Sequence, residues 1–372
     1  MSGRLLSWDE GTPADSMWRF FDALPIERRD SVVSLGEGMT PLLASASMRN
    51  VWLKDETRNP SGSAKDRAMS VAVTKGVELN RRATIIASTG SAGLSAAAYS
   101  ARARVPSVVL VPHDTPWHRL ALMRRYGGHV IQVDGPYELL MEVLDHAREQ
   151  LGFYDVSTYS AANACQAEGP KTIAYEIFMR LGRAPEAVIV PVGGGGTLAG
   201  VHQGFVDLVA AGSITGLPRI YAVQNSLFNA LELALQRGLR TYEELVDLRL
   251  DDTVTVETTN LKHAVPPDGV HALAAIRSSG GGVVTVADRE AVQAQERVAR
   301  TEGLLVEVSS AVVFVGYERL VERGEVSRQD ETVLLLTGSA LRDAALIGRE
   351  EDDRALDEAE VVARLEALVE AG

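Results

Sequence analysis

Lys65 stands where its amine could act as a nucleophile. It belongs to the string KDETRNPSGSAKDRAM (54–69), in which Asn59, Pro60 and Gly62 predict a turn and Lys65 opens a predicted helix. A cation at a helix N-terminus lies at the wrong end of the helix dipole, which favours the uncharged amine. An uncharged lysine can attack a carbonyl group. Without other motifs, an ordinary surface lysine would be the more frequent interpretation.

A run of four glycines, Gly193 to Gly196, joins a predicted buried strand to a predicted helix in AVIVPVGGGGTLAG. Glycines allow close approach to the main chain, and the free N–H groups at a helix start bind anions. The run lacks the Gly-Lys-Ser/Thr ending of a nucleotide-binding P-loop and the spacing of a dinucleotide loop. It therefore predicts a phosphate-binding loop, with a turn that binds no ligand as the alternative.

Short β-branched runs alternate with helical patterns and predict the elements that position these residues. The first series starts near residue 84 with TIIAST, VPSVVLVP and HVIQVD, and the second follows Lys171 with AVIVPV, RIYAVQ, GGVVTV and TVLLLT. This rhythm predicts an α/β fold made of two α/β units with parallel sheets. A second glycine-containing turn, Ser88 to Gly93, follows TIIAST, so one such turn in each unit could face the other across a cleft.

Composition excludes several classes of protein. The 372 residues are 46% hydrophobic and carry a net charge of −13, with no basic stripe that could bind a nucleic acid. We find no signal peptide and no apolar run long enough to span a membrane, which predicts a cytoplasmic protein. Cys165 is the only cysteine, so no intrachain disulfide or cysteine-based metal cluster is expected, and we predict no metal site.

Six strings together resemble the ordered signature of the threonine synthase family. They are GEGMTPLL (36–43), KDETRNPSGSAKDR (54–67), STGSAGLSAAAYSAR (88–102), EGPKTIAYEI (168–177), PVGGGGTLAG (191–200) and LTGSALRD (336–343). The resemblance implies a fold-type II enzyme that uses pyridoxal 5′-phosphate and acts on a small amino acid. It also implies a homodimer, with the cofactor in the cleft between the two α/β domains.

The resemblance assigns roles to individual positions. Lys65 matches the Schiff-base lysine, Thr337 matches the hydroxyl residue beside the pyridine nitrogen, and a hydroxyl there favours elimination over transamination. The cofactor phosphate is implied to bind at Gly193, Gly194, Gly195, Gly196 and Thr197. The substrate carboxylate is implied to bind at Ser88, Thr89, Gly90 and Ser91, and Ser91 is also implied to contact the cofactor.

The resemblance also implies a division of the chain. Residues 1–50 are expected to pack on the large domain, and 51–84 to form the part of that domain that carries Lys65. Residues 85–165 would form the small α/β domain, 166–345 the large cofactor-binding domain, and 346–372 an acidic C-terminal helix.

Three departures from the family pattern bear on the substrate. Ser91 replaces an asparagine that is common in relatives, and Gln166 replaces an arginine that helps to hold the substrate phosphate, while Lys171 remains as a possible anion contact. The third departure is the segment 258–267, which places Lys262 and His263 where relatives carry small residues. His263 could contact the substrate, although a structural histidine is the more frequent case.

These departures leave the substrate open. Conversion of O-phosphohomoserine to threonine is the leading prediction. The alternatives are a serine or threonine ammonia-lyase, a β-replacement synthase, and a catalytically silent binding protein.

Overall fold

Six strands form the larger of two sheets in the computed structural model, which describes residues 15–113, 115, 117–134 and 137–342. β1 and β2 are antiparallel, and the other neighbouring strands are parallel. In spatial order the strands are β1 (Leu42–Ala44), β2 (Val51–Asp55), β10 (Thr332–Leu336), β7 (Ala187–Pro191), β8 (Arg219–Asn225) and β9 (Val283–Val286).

Four parallel strands form the smaller sheet. Their spatial order is β5 (His129–Val133), β4 (Ser107–Pro112), β3 (Thr84–Ala87) and β6 (Tyr154–Asp155). The two sheets confirm the predicted α/β fold with parallel strands in two sheets. The carboxyl ends of parallel strands meet at one edge of a sheet, which is where ligands bind in such folds.

Helices follow most strands, as the sequence rhythm predicts. They are α1 (Lys65–Glu78), α2 (Ser91–Ala103), α3 (Trp117–Arg125), α4 (Tyr137–Gln150), α5 (Thr172–Leu181), α6 (Gly196–Ala210), α7 (Ala230–Arg237), α8 (Tyr242–Val246), α9 (Gly269–Ser279), α10 (Asp288–Glu302) and α11 (Val308–Glu322). No helix in the described ranges has the length and apolar character needed to cross a membrane.

The larger sheet is buried on both faces, because successive side chains of a strand point to opposite sides. Val333 and Leu335 of β10 lie in one apolar cluster with residues of α5, α6 and α9, whereas Leu334 and Leu336 lie in a second cluster with residues of α10 and α11. Burial of each such side chain stabilises the fold by roughly 1.5–3 kcal/mol. The carboxyl ends of these strands are consequently held rigidly.

Helix α1 connects the two sheets. Met69 and Val73 pack in one core with Ile86 of β3 and Tyr99 of α2. The start of the same helix is fixed to the larger sheet, since Ala64 donates its N–H to the carbonyl of Thr337 just after β10. The domain limits at residues 50, 84, 165 and 345 stay predictions. The expected acidic helix at 346–372 and residues 1–14 lie outside the described ranges.

Candidate active site

Lys65 is the first residue of α1, as the turn before it predicts. Ser63 forms an isolated antiparallel bridge with Gly338, and the N–H of Ala64 lies 2.9 Å from the carbonyl oxygen of Thr337. These contacts hold the start of α1 against the carboxyl end of β10. Two strings that are far apart in sequence therefore meet at the lysine.

The Lys65 amine is held in conditions that favour its uncharged form. The side chain is half-buried by exposed area, yet protein atoms crowd around it, and this desolvation lowers the pKa of Lys65. The negative charges of Asp268 and Glu307 act in the opposite direction without reversing the shift. No described residue forms a hydrogen bond or ion pair with Nζ, so the amine is available to react.

Asp66 fixes the turn that presents Lys65. Its carboxylate accepts hydrogen bonds from the N–H of Ser61 at 2.6 Å, the hydroxyl of Ser61 at 2.5 Å and the hydroxyl of Ser95 on α2 at 2.5 Å. Burial raises the pKa of Asp66 to about 6, although the serine hydrogen bonds act against that rise. The turn before Lys65 and the first turns of α2 are thereby tied to one carboxylate.

A buried ion network lies behind this turn. Arg67 binds Glu56 at 2.7 Å and Glu176 at 2.6 Å, and Lys54 binds Glu176 at 2.6 Å. Burial alone would raise the pKa of Glu176, but the charges of Arg67 and Lys54 lower it to about 2. Because removal of one partner from a buried pair typically costs about 3–5 kcal/mol, the network locks α1, β2 and α5 together.

The glycine loop, Gly193 to Gly196, leads from β7 into α6. Gly195 has a φ of +96°, a conformation that favours glycine, and Gly196 is the first residue of α6. The N–H groups of Gly196, Thr197 and Leu198 have no acceptor among the described residues, as expected for the first turn of a helix. The loop thus presents free donors and a positive dipole end to an anion.

Residues 258–268, which we call the covering segment, lie against this loop. A Cβ atom on Gly193 would collide with the carbonyl oxygen of Asn260 and would lie 2.9 Å from Cδ2 of His263. A Cβ atom on Gly195 would lie 2.8 Å from the carbonyl oxygen of Asp268. The glycines are therefore needed both to expose N–H groups and to accommodate the covering segment.

Thr337 lies at the end of β10 with its hydroxyl 2.9 Å from that of Ser310 on α11. The Ser310 oxygen also accepts a hydrogen bond from the N–H of Gly338 at 2.9 Å. The Thr337 hydroxyl is thus held by a second hydroxyl rather than by a carboxylate. A hydroxyl beside a pyridine ring nitrogen carries no charge, so it leaves that nitrogen largely unprotonated.

The turn from Ser88 to Ser91, which the resemblance implies binds the substrate carboxylate, leads into α2. The hydroxyl oxygen of Ser88 accepts hydrogen bonds from the N–H groups of Gly90 and Gly93 at 3.3 and 3.2 Å. Ser91 accepts a hydrogen bond from Arg342 at 2.8 Å. A Cβ atom on Gly90 would lie 3.1 Å from Oδ1 of Asn260, so this turn and the glycine loop share a neighbour in the covering segment.

Gln166 and Lys171 lie beside α6 rather than at its start. Gln166 is buried, and its Nε2 has no hydrogen-bond partner among the residues that the structure describes. The Lys171 ammonium lies 2.5 Å from Glu168 and 3.3 Å from Asp207, and its carbonyl oxygen lies over Gly204. A role for either residue in substrate binding stays a prediction.

Four residues enter the site that the sequence patterns had not indicated: Asn260, Asp268, Glu307 and Arg342. Asp268 is buried, and its Oδ2 lies 2.7 Å from the position of a Cβ on Gly196. Glu307 pairs with Arg342 at 2.8 Å. Arg342 stands in LTGSALRD and Asn260 in the departing segment 258–267, but no pattern gave either of them a role in the site. Asp268 and Glu307 carried no sequence signal.

The residues present fit pyridoxal phosphate. The glycine loop would hold the phosphate, Lys65 would hold the carbonyl carbon, and Thr337 would face the ring nitrogen. When bound, the cofactor withdraws electrons from the Cα atom of an amino acid. The chain itself would contribute the Lys65 amine, whose pKa is lowered by burial, to take the Cα proton, and the N–H groups at the start of α2 to orient a carboxylate.

Comparison with known proteins identifies the family of this chain. Residues 33–338 match the family model described as pyridoxal-phosphate dependent enzyme. The threonine synthase of Methanocaldococcus jannaschii is 34% identical over 346 residues, which cover 90% of this chain and 83% of that protein.

Two solved structures have the same fold. An O-ureido-L-serine synthase superposes with a TM-score of 0.68 at 22% identity, covering 87% of this chain and 96% of that one. The L-serine ammonia-lyase of Rhizomucor miehei gives a TM-score of 0.65 at 25% identity, covering 81% and 94% of the two chains. The chain therefore belongs to the pyridoxal-phosphate dependent enzymes of fold type II and is similar to the threonine synthases.

Proposed function

We propose that this enzyme catalyses elimination or replacement at the side chain of a small amino acid, with conversion of O-phosphohomoserine to threonine as the leading reaction. The observation that carries the proposal has two parts: the start of α1, which carries Lys65, is bonded to Thr337 after β10, and β7, the parallel neighbour of β10, leads into the glycine loop. Curated relatives that match over most of the chain include threonine synthases.

In this proposal the amine of Lys65 would remove the Cα proton of the amino-acid substrate. Burial lowers the pKa of Lys65 and so favours the uncharged amine, which is the state a base needs. Ser88, Thr89, Gly90 and Ser91 would bind the substrate carboxylate through N–H groups and hydroxyls at the start of α2.

Gln166 favours a second candidate, a serine or threonine ammonia-lyase or a β-replacement synthase. Its neutral amide stands where relatives carry an arginine, and its Nε2 lacks a partner in the described part of the chain. A missing charge-assisted hydrogen bond of ~1.5–3 kcal/mol would weaken a phosphorylated substrate by roughly ten- to a hundredfold. The L-serine ammonia-lyase of similar fold adds to this candidate.

The two candidates are separated by a substrate panel. We expect turnover of O-phosphohomoserine to threonine, measured beside serine, threonine, O-phosphoserine, O-acetylserine and homoserine as keto acid or product amino acid. Keto acid from serine or threonine, without threonine from O-phosphohomoserine, would select the second candidate. Failure to exchange the α-proton of any panel member in deuterated water would instead identify a silent binding protein.

Gln166→Arg tests whether position 166 contacts the substrate phosphate. It should raise kcat/KM for O-phosphohomoserine relative to homoserine, whereas Gln166→Met, of similar length but without charge, should not. Efficient wild-type turnover of O-phosphohomoserine that Gln166→Arg leaves unchanged would show that this position does not contact the phosphate.

Three further parts of the proposal concern the context of the enzyme. We expect a homodimer, a cytoplasmic location, and a small and a large domain divided near residues 84 and 165. Sedimentation of the holoenzyme tests the first, and the concentration dependence of the measured mass would distinguish a dimer from a monomer.

A further inference from the structure

His263 lies on the glycine loop, although the sequence favours a structural role for it. Its Cδ2 lies 2.9 Å from the position of a Cβ on Gly193, and its Nε2 lies 3.9 Å from that on Gly194. No hydrogen bond from either ring nitrogen to a described residue is present. His263 is exposed by surface area, so water can satisfy its ring nitrogens, and no described protein group competes for them with a ligand at the loop.

Two conditions keep the imidazole uncharged in the absence of a ligand. His263 is exposed by surface area, but protein atoms crowd around the ring, and this desolvation together with the positive charge of Lys65 lowers the pKa of His263 to about 4. Both conditions depend on the contents of the site. An anion at the loop would attract a proton to the ring, and covalent use of the Lys65 amine would change the neighbouring charge.

We propose that His263 is a ligand of the cofactor phosphate and takes up a proton when the cofactor binds. The glycine loop supplies neutral N–H donors to a phosphate that carries up to two negative charges, and the first turn of α6 adds only a partial positive charge. A protonated imidazole at the same loop would supply a full positive charge. The inference rests on the cofactor class of the family and not on the choice of substrate.

Other charged groups face this region, and they define the controls. Lys65 approaches from α1, and Glu307 approaches Lys65 from the start of α11. Oδ2 of Asp268 points toward Gly196, and Nδ1 of His271 lies 3.5 Å from Oδ1 of Asp268. Asp268 is the other buried charged group at this loop, so its variant serves as the control for the proton count.

The test measures cofactor binding and not turnover. Apoprotein is titrated with pyridoxal phosphate by calorimetry in two buffers of different ionisation enthalpy, which gives the number of protons taken up. We expect His263→Asn to take up close to one proton fewer than the wild type near pH ~6.5 and to bind the cofactor about ten- to a hundredfold more weakly. At pH ~9, where the imidazole stays neutral, the two affinities should converge.

Matched variants locate the proton. Lys262→Ala alters the adjacent side chain and should behave as the wild type, and Asp268→Asn should retain the proton uptake. Pyridoxal, which lacks the phosphate, should produce the same proton count with wild type and His263→Asn. The proposal is overturned if proton uptake on cofactor binding is lost in Asp268→Asn and kept in His263→Asn.

A variant-free measurement guards against a His263→Asn protein that does not fold. In ¹⁵N-labelled wild type, the His263 ring should titrate with a pKa of about 4 without cofactor and well above that value with it. A ring that titrates at the same pH in both forms refutes the proposal. A change confined to the KM of the amino-acid substrate, with cofactor affinity intact, would make His263 a substrate contact instead and equally overturn it.

Discussion

Gly195→Ala should weaken cofactor binding, and Gly194→Ala provides the matched control in the same loop. At Gly195 the φ of +96° costs an alanine about 1–2 kcal/mol, and its Cβ would lie 2.8 Å from the Asp268 carbonyl oxygen and 3.2 Å from Ala272. Overpacking adds about 1–3 kcal/mol. At Gly194 the nearest atom is Cγ of Pro267 at 3.4 Å, an ordinary contact.

The free-energy cost of Gly195→Ala lowers either the affinity for the cofactor or the stability of the apoprotein. If the loop moves away from the carbonyl, the N–H groups leave their binding positions, and a loss of about 2–5 kcal/mol corresponds to a ~30- to ~5000-fold higher Kd. If the loop stays, urea unfolding of the apoprotein records the loss instead. The reasoning is refuted if Gly195→Ala matches wild type in both measurements, or if Gly194→Ala is equally impaired.

Three more outcomes follow from the site. Lys65→Ala removes the reactive amine, so borohydride should no longer fix the cofactor to the peptide containing residue 65; retained fixation would assign the linkage to another lysine. Thr337→Asp places a carboxylate beside Ser310 and should protonate the ring nitrogen, raising transamination relative to the main product; equal partitioning in both proteins counts against that position. For Asp66 the folded pKa of about 6 exceeds the reference value of 3.8, so its ionisation disfavours folding. As the pH rises from about 4 to above 6, the free energy of unfolding of the wild type should therefore fall by ~3 kcal/mol relative to that of Asp66→Asn, as measured by urea unfolding. Parallel pH profiles of the two proteins would contradict this expectation.

The sequence predicted the elements of the site because their signals are local. The turn before Lys65, the glycines before α6 and the β-branched runs of β7 and β10 each act over a few residues. Parallel strands then bring their carboxyl ends together, which is a property of the fold class. The meeting of Lys65 and Thr337 could therefore be expected.

The covering segment could not be predicted in this way. Its path from Thr258 to Asp268 contains a short 3₁₀ turn and no long periodic element, so no pattern indicates that Asn260 reaches both Gly90 and Gly193. The pairing of Glu307 with Arg342 likewise depends on tertiary packing at the ends of α11 and β10. Departures from the family pattern marked this segment as unusual without giving its position.

Helix α1 is attached to both sheets, and this attachment fixes the position of Lys65 if the sheets move relative to each other. The body of the helix shares a core with the smaller sheet, while its first turn is bonded to the end of β10. A rotation of the smaller sheet would therefore have its axis near Lys65, and the lysine would move least. The start of α2 would be held there as well, because Ser91 accepts a hydrogen bond from Arg342 and Ser95 donates one to Asp66. Motion of the smaller sheet would therefore leave Lys65, the first turn of α2 and the end of β10 together.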